Sequence, residues 1–183
     1  MPASPKKADL NRWRETIVRH LEEFPRQYAA LEHAMAAFGE FDLQEFKRAF
    51  TTYEDIDAYN QVQAVERALG RVQNFVADLA QTGAKIVQIP PAENQHASPA
   101  HRSFTALSDA GVISKQLCRR LIRAQEARTT IEHGYLGTTA GNVHQAALLI
   151  RDSAREFIGP FREWITPYLV NEGRERDQGR SAE

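Results

Sequence analysis

LCRRLIRAQEARTTIEHGY, residues 117–135, is the stretch from which the rest of the chain is best read. Leu117, Leu121, Ala124, Arg128, Ile131 and Tyr135 recur at alternating steps of four and three, the spacing of one stripe along a helix. Arg128 therefore stands in line with apolar residues, where a charge is costly unless it is paired. His133 follows five residues later, about 140° away around an unbroken helix, whereas Tyr135 returns to within about 20° of the arginine. For the guanidinium and the imidazole to meet within one chain, the helix must end near Gly134. Otherwise the partner groups come from a second copy of the chain.

Outward from this stretch, helical periodicity is nearly continuous and strand signals are few. On the amino-terminal side Ser114 is a helix cap, and Ser98-Pro99 reads as a cap followed by a first-turn proline, opening a helix with Phe104 and Leu107 that stops at Gly111. The longest helix is expected from about residue 55 to 81, with Ile56, Tyr59, Val62, Leu69, Val72, Val76 and Leu79 as core and Gly70 as a mark of close packing. Residues 83–97 read as an ordered loop, with KIVQI at most a short strand that Pro90-Pro91 stops. Earlier still, Asp9 is placed to cap a helix carrying Leu10, Trp13, Ile17 and Leu21, which Pro25 interrupts or kinks before a second piece through Tyr28, Leu31 and Met35. Asp42 with Glu45 has capping-box spacing and opens a short helix to about residue 49. Beyond Gly134 the link LGTTAGN leads to a last helix with Val143, Ala147, Ile150, Ala154 and Phe157 inward, kinked at Gly159-Pro160 before Phe161, Trp164, Ile165 and Tyr168. The expected fold is an all-α bundle, divided into a loose tail (1–7), an amino-terminal helical extension (8–54), the main bundle (55–170) and a charged, disordered tail (171–183).

Composition narrows the classes. The length, 183 residues, suits one domain without staples. A single cysteine, Cys118, has no internal disulfide partner and reads as a core thiol suited to a reducing cytoplasm. There is no apolar signal core or spanning segment, so neither membrane nor export is expected. The formal net charge is −1, yet 18 of 23 basic residues are arginines, and Arg102, Lys115, Arg119, Arg120, Arg123 and Arg128 fall in one short region. Such a patch suits phosphate, and equally a solvated helix face. His96 and His101 lack companions for zinc, and the sequence contains no P-loop, HExxH, GxGxxG or CxxC motif. No metal and no cofactor is expected.

Arg128, His133 and Tyr135 form an Arg-x4-His-x-Tyr pattern, and with the preceding SFTALSDAGVISKQLCRRLIRAQEAR (103–128) the chain resembles the HEPN-domain ribonucleases, specifically the HepT-like toxins. The likeness covers roughly residues 55–168 and leaves out the first fifty. It implies a HEPN-like bundle in a symmetric homodimer whose facing motifs form one RNA cleft, with Arg128 and His133 catalytic and Lys115, Arg119, Arg120, Arg123 and Thr129 on the RNA. It also implies a nucleotidyltransferase partner, as antitoxin, that modifies the motif tyrosine, here Tyr135, with AMP. Many active members carry Asn, Asp or His directly after the motif arginine, where this chain has Thr129.

The chemistry fits those residue types. Metal-free RNA cleavage requires a proton to leave the 2′-hydroxyl, a proton to reach the 5′-oxygen, and positive charge beside the phosphorane. Histidine titrates in the range for proton transfer, and arginine grips two phosphate oxygens. One Arg–His pair supplies a single proton-transfer group, and two chains supply two. Two functions follow as expectations: a metal-independent endoribonuclease of a toxin–antitoxin or phage-defence pair, or a helical dimer that has lost cleavage and binds RNA or protein. For single residues the plainer roles stay open: His133 as a helix C-terminal residue favoured by the dipole, Arg128 paired with Glu126 or Glu132, and Tyr135 as a core aromatic.

Overall fold

A computed structural model of the chain describes residues 6–52, 54–90, 92, 97–133 and 138–169. These residues form six helices and no strand: α1 (Lys7–Ala36), α2 (Leu43–Thr51), α3 (Ile56–Val87), α4 (Pro99–Asp109), α5 (Lys115–His133) and α6 (Ala140–Leu169). The all-α expectation holds. None of these helices is long and apolar enough to cross a membrane.

The bundle is built around α3, which touches all five other helices. Its middle is buried on nearly every side, from Leu69 through Gly70, Val72, Gln73, Val76, Ala77, Leu79 and Ala80. A helix apolar all round is stable only when enclosed, and α1, α4, α5 and α6 enclose it. The buried residues of α1 and α2 join those of α3–α6 in one cluster.

Capping residues set most helix starts. Asp42 accepts from the amides of Gln44 and Glu45, Asp55 from those of Asp57 and Ala58, Ser98 from His101 and Ser114 from Leu117. Gly111 follows α4 with φ +76°, the left-handed value that a glycine accepts without penalty.

Two boundaries differ from the sequence reading. Helix α1 begins at Lys7 and runs unbroken through Pro25. Pro25 is exposed, and the helix is held by Ile17, Phe24, Leu31 and Met35, all buried. Burying such side chains contributes about 1.5–3 kcal/mol each, which outweighs the roughly 3 kcal/mol cost of an internal proline. For the same reason α6 passes through Pro160, with Phe157, Phe161 and Ile165 buried on either side. Helix α3 does not stop near residue 81. It continues to Val87, so that Gly83, Ala84 and Ile86 carry the buried face onward where a loop was expected. Its end is a left-handed Gln88 (φ +58°), with the Ile89 amide donating back to the Ala84 carbonyl at 2.9 Å. Two expected core residues, Ile56 and Tyr59, are exposed, at 72% and 49% of their surface. The tail and the link after His133 lie largely outside the described residues, as do Tyr135 and His96.

Gly83 explains how α6 approaches so closely. A Cβ there would sit 2.8 Å from the Phe161 ring and 3.1 Å from Trp164. Gly83→Ala should therefore destabilise the bundle. Overpacking a filled core costs about 1–3 kcal/mol, against a gain of about 1 kcal/mol in helix propensity. Thermal unfolding should show a lowered Tm, while the same change at Gly159, where a Cβ meets nothing within 4 Å, should leave Tm equal or higher.

Candidate functional site

Helix α5 enters the bundle along its apolar stripe. Leu117, Leu121 and Ala124 are buried, and Arg128 and Ile131 continue the stripe as half-buried residues. One hydrogen bond ties α5 to α3 along this line. Gln73, fully buried, donates its amide to Gln125 Oε1 at 3.1 Å. One helix turn earlier in α3, Gly70 faces α5: a Cβ on it would lie 3.5 Å from Glu132 Oε1, an ordinary contact distance. Arg128 stands between Gln125 and Glu132 on α5, so it faces this polar part of the seam.

Its charge is met locally. The Arg128 guanidinium pairs with Glu132 at 2.6 Å, with the arginine side chain 20% and the glutamate 38% exposed. This is an i,i+4 pair with the cation first, the weaker order along a helix, and such pairs contribute about 0.2–0.5 kcal/mol. Arg128 Nε is buried and has no hydrogen-bond partner among the described residues, so the guanidinium keeps donor capacity that Glu132 does not use.

His133 ends α5 and is exposed. It lines a cleft of about 780 Å³ between α5 and the first half of α3. From α5 the walls take Ile131, Glu132 and His133, and from α3 Tyr59, Gln63, Glu66, Arg67, Gly70, Arg71 and Asn74; Phe50 of α2 and Thr138 before α6 close the ends. Arg128 is not on the cleft wall. It is one step behind, in contact with wall residue Glu132. The helix continues unbroken to His133, so the motif arginine and histidine stay about 140° apart within one chain.

The cleft holds a carboxyl in an unusual state. Burial pushes the Glu66 carboxyl above the ordinary glutamate range, and the Gln63 amide, donating to Oε2 at 2.8 Å, only partly offsets this. Arg67 and Arg71 are exposed on the same wall and take part in no ion pair among the described residues. Arg67 Nε donates to the Gln63 carbonyl at 3.1 Å, which leaves its terminal nitrogens toward solvent.

The other basic residues singled out in the sequence lie elsewhere. Lys115, Arg119 and Arg123 are exposed and four residues apart, so they form one ridge along α5. Lys115 is 18 residues before His133, about 27 Å along the helix at 1.5 Å per residue. Arg120 is tied to Glu156 of α6. Arg123 borders a second, shallower groove of about 530 Å³ between α5 and α6, floored by Ala146, Leu148 and Leu149. The Thr129 hydroxyl donates back to the Gln125 carbonyl at 2.9 Å, a helix-internal bond. Cys118 is buried, and burial raises its thiol pKa, which suits a core residue. Among the described residues no group of three or more His, Cys, Asp or Glu is placed to hold a metal ion.

Fold and site together define an all-α protein with a polar cleft that combines an imidazole, a half-buried carboxyl and two arginines. No family model, no curated protein and no solved structure matches the chain. Glu66, Arg67 and Arg71 were not anticipated from the sequence. The one signal available was a run of charged residues inside the longest helix, spaced so that Glu66 and Gly70, and Arg67 and Arg71, are each one turn apart.

The state of Glu66 gives a pH-dependent test. A carboxyl whose pKa is higher in the folded than in the unfolded chain binds its proton more tightly when folded. Stability is then lost as pH rises through the carboxylate range toward the folded value. Glu66→Gln removes that loss. The variant should melt at or above the wild-type temperature at neutral pH, and the difference should shrink as pH falls to about 4, near the ordinary glutamate pKa. A variant that melts well below wild type at pH 7 would show that the carboxylate is stabilised instead.

Proposed function

We propose that the chain is a metal-independent endoribonuclease of the HEPN, HepT-like type, and that it works as a symmetric homodimer. The observation that carries this reading is His133: it is exposed on the wall of a cleft large enough for a nucleotide and is accompanied there by two arginines that form no ion pair among the described residues. An imidazole so placed has access to a 2′-hydroxyl, and guanidinium groups beside it favour the phosphate that must approach. Arg128, with donor capacity to spare at the seam, supplies charge to the phosphorane once a phosphate oxygen displaces Glu132. In the dimer, the second chain's motif provides the second histidine. The ridge of Lys115, Arg119 and Arg123 extends the contact along the RNA backbone. The biological setting that goes with this activity is the toxin of a toxin–antitoxin or phage-defence pair, with a nucleotidyltransferase that places AMP on Tyr135 and so repels RNA.

Two observations favour a second reading, a helical dimer that binds RNA or protein without cutting it. Glu132 occupies Arg128, and the Thr129 hydroxyl is spent on its own helix.

Cleavage of RNA in the presence of a chelator, leaving 2′,3′-cyclic phosphate and 5′-hydroxyl ends, is the expected result for the enzyme. His133→Ala and Arg128→Ala should each lower the rate by at least about 10²-fold, the typical loss for one such group. Because His133 is exposed, its variant should keep the wild-type Tm. A folded His133 variant that cuts at the wild-type rate contradicts the enzyme reading, and a wild type that binds RNA without ever cutting it supports the second. Light scattering should give a dimer at micromolar concentration, and Lys115→Ala should mainly reduce the salt dependence of RNA binding.

A further inference from the structure

We propose that Glu66 is a second proton-transfer group, acting with His133 in the same cleft of the same chain, so that Glu66 protonates the leaving 5′-oxygen while His133 takes the proton from the 2′-hydroxyl. The inference rests on the ribonuclease reading and changes one part of it: the second proton comes from α3 of the same chain and not from the histidine of a second copy.

The motive is the composition of the cleft. Cleavage requires two groups of opposite protonation state within reach of one phosphate. His133 stands on the α5 wall, and Glu66 stands on the facing α3 wall. The charged and titratable groups that share the cleft with them are Tyr59, Arg67 and Arg71 on α3 and Glu132 on α5; Phe50 of α2 and Thr138 bring no charge. Glu66 is the half-buried carboxyl among them and the one that burial holds toward its protonated form. Its Oε2 accepts from Gln63, which fixes the carboxyl plane and leaves Oε1 to carry the proton. Arg67 and Arg71 are one turn apart on the same helix, so their cations lie along one line beside Glu66.

The step balances. The 2′-O–H bond breaks and its proton passes to the neutral imidazole of His133. The 2′-oxygen bonds to phosphorus, the bond from phosphorus to the 5′-oxygen breaks, and that oxygen takes the carboxyl proton of Glu66. The products are a 2′,3′-cyclic phosphate and a 5′-hydroxyl. The imidazolium and the carboxylate then return to their starting forms by exchange with water.

The test uses the full chain and two RNA oligonucleotides, one natural and one with sulfur in place of the 5′-bridging oxygen at the cut. A thiolate leaves without a proton, so loss of the acid matters only for the natural substrate. Glu66→Gln should cut the natural RNA at least about 10²-fold more slowly than wild type and lose the high-pH limb of the rate profile. On the sulfur-substituted RNA it should recover to within a few fold of wild type, whereas His133→Ala should stay slow on both. Unchanged cleavage of natural RNA by Glu66→Gln, or equal impairment on both substrates, overturns the assignment. If wild type and His133→Ala both cleave neither substrate, the ribonuclease reading itself fails, and this inference with it. If wild type cuts and only the Glu66 result is negative, the ribonuclease reading stands and the second proton comes from elsewhere.

Discussion

Everything near the cleft depends on how α5 lies against α3. Leu117, Leu121 and Ala124 set the line of contact by burial, and the line would continue as hydrocarbon were it not for Gln73, Gln125, Arg128 and Glu132. A polar seam inside a bundle is costly unless its groups find partners. Here the Gln73 amide finds Gln125 across the two helices and Arg128 finds Glu132 along one helix, while Gln73 Oε1 and Arg128 Nε are buried with no hydrogen-bond partner among the described residues. Gly70 faces Glu132 across the seam, at a distance where a Cβ would make an ordinary contact.

That seam divides the motif. Arg128 is turned toward α3 and held by Glu132, while His133, about 140° further round, looks into the cleft. The cations that share the cleft with the histidine belong instead to α3. On the proposed reading, Glu132 is then a competitor for the phosphate, since one carboxylate and one phosphate oxygen cannot both occupy the same face of a guanidinium. The low worth of an i,i+4 pair with the cation first means that the exchange costs little. The basic ridge of Lys115, Arg119 and Arg123 is a separate feature, and its distance from His133 suits backbone contact along an extended strand better than a role at the reacting phosphate.

The helices were legible where local chemistry decides them. Asp42, Ser98 and Ser114 cap helices as their spacing indicated, and Leu117, Leu121 and Ala124 on α5 and Val143, Ala147, Ile150, Ala154 and Phe157 on α6 are buried as read. The interruption considered at Pro25 and the loop expected from Gly83 were misread for one common reason. Local propensity argues for a break at each, and burial against α3 or α6 outweighs it. Ile56 and Tyr59 were taken for core because they keep helical spacing, but both are exposed: Tyr59 lies on the cleft wall, and Ile56 lies beside Asp55 and Asp57 in a separate surface hollow. On the site, His133 and Arg128 could be picked out from pattern. Glu66, Arg67 and Arg71 could not, because their interest comes from lying opposite a residue 67 positions away from Glu66, and only the packing of α5 on α3 brings them there.

The central claim is that RNA is received in the α3–α5 cleft. It is tested most directly by titrating isotope-labelled protein with a short RNA that carries a 2′-deoxy nucleotide at the cut, so that it binds without reacting, while backbone and side-chain resonances are followed. The account predicts saturable shifts concentrated at Gln63, Glu66, Arg67, Arg71, Asn74 and His133, with smaller ones at Lys115, Arg119 and Arg123. Shifts confined to the Lys115–Arg123 ridge, or to the groove between α5 and α6, with the cleft unmoved, would contradict it.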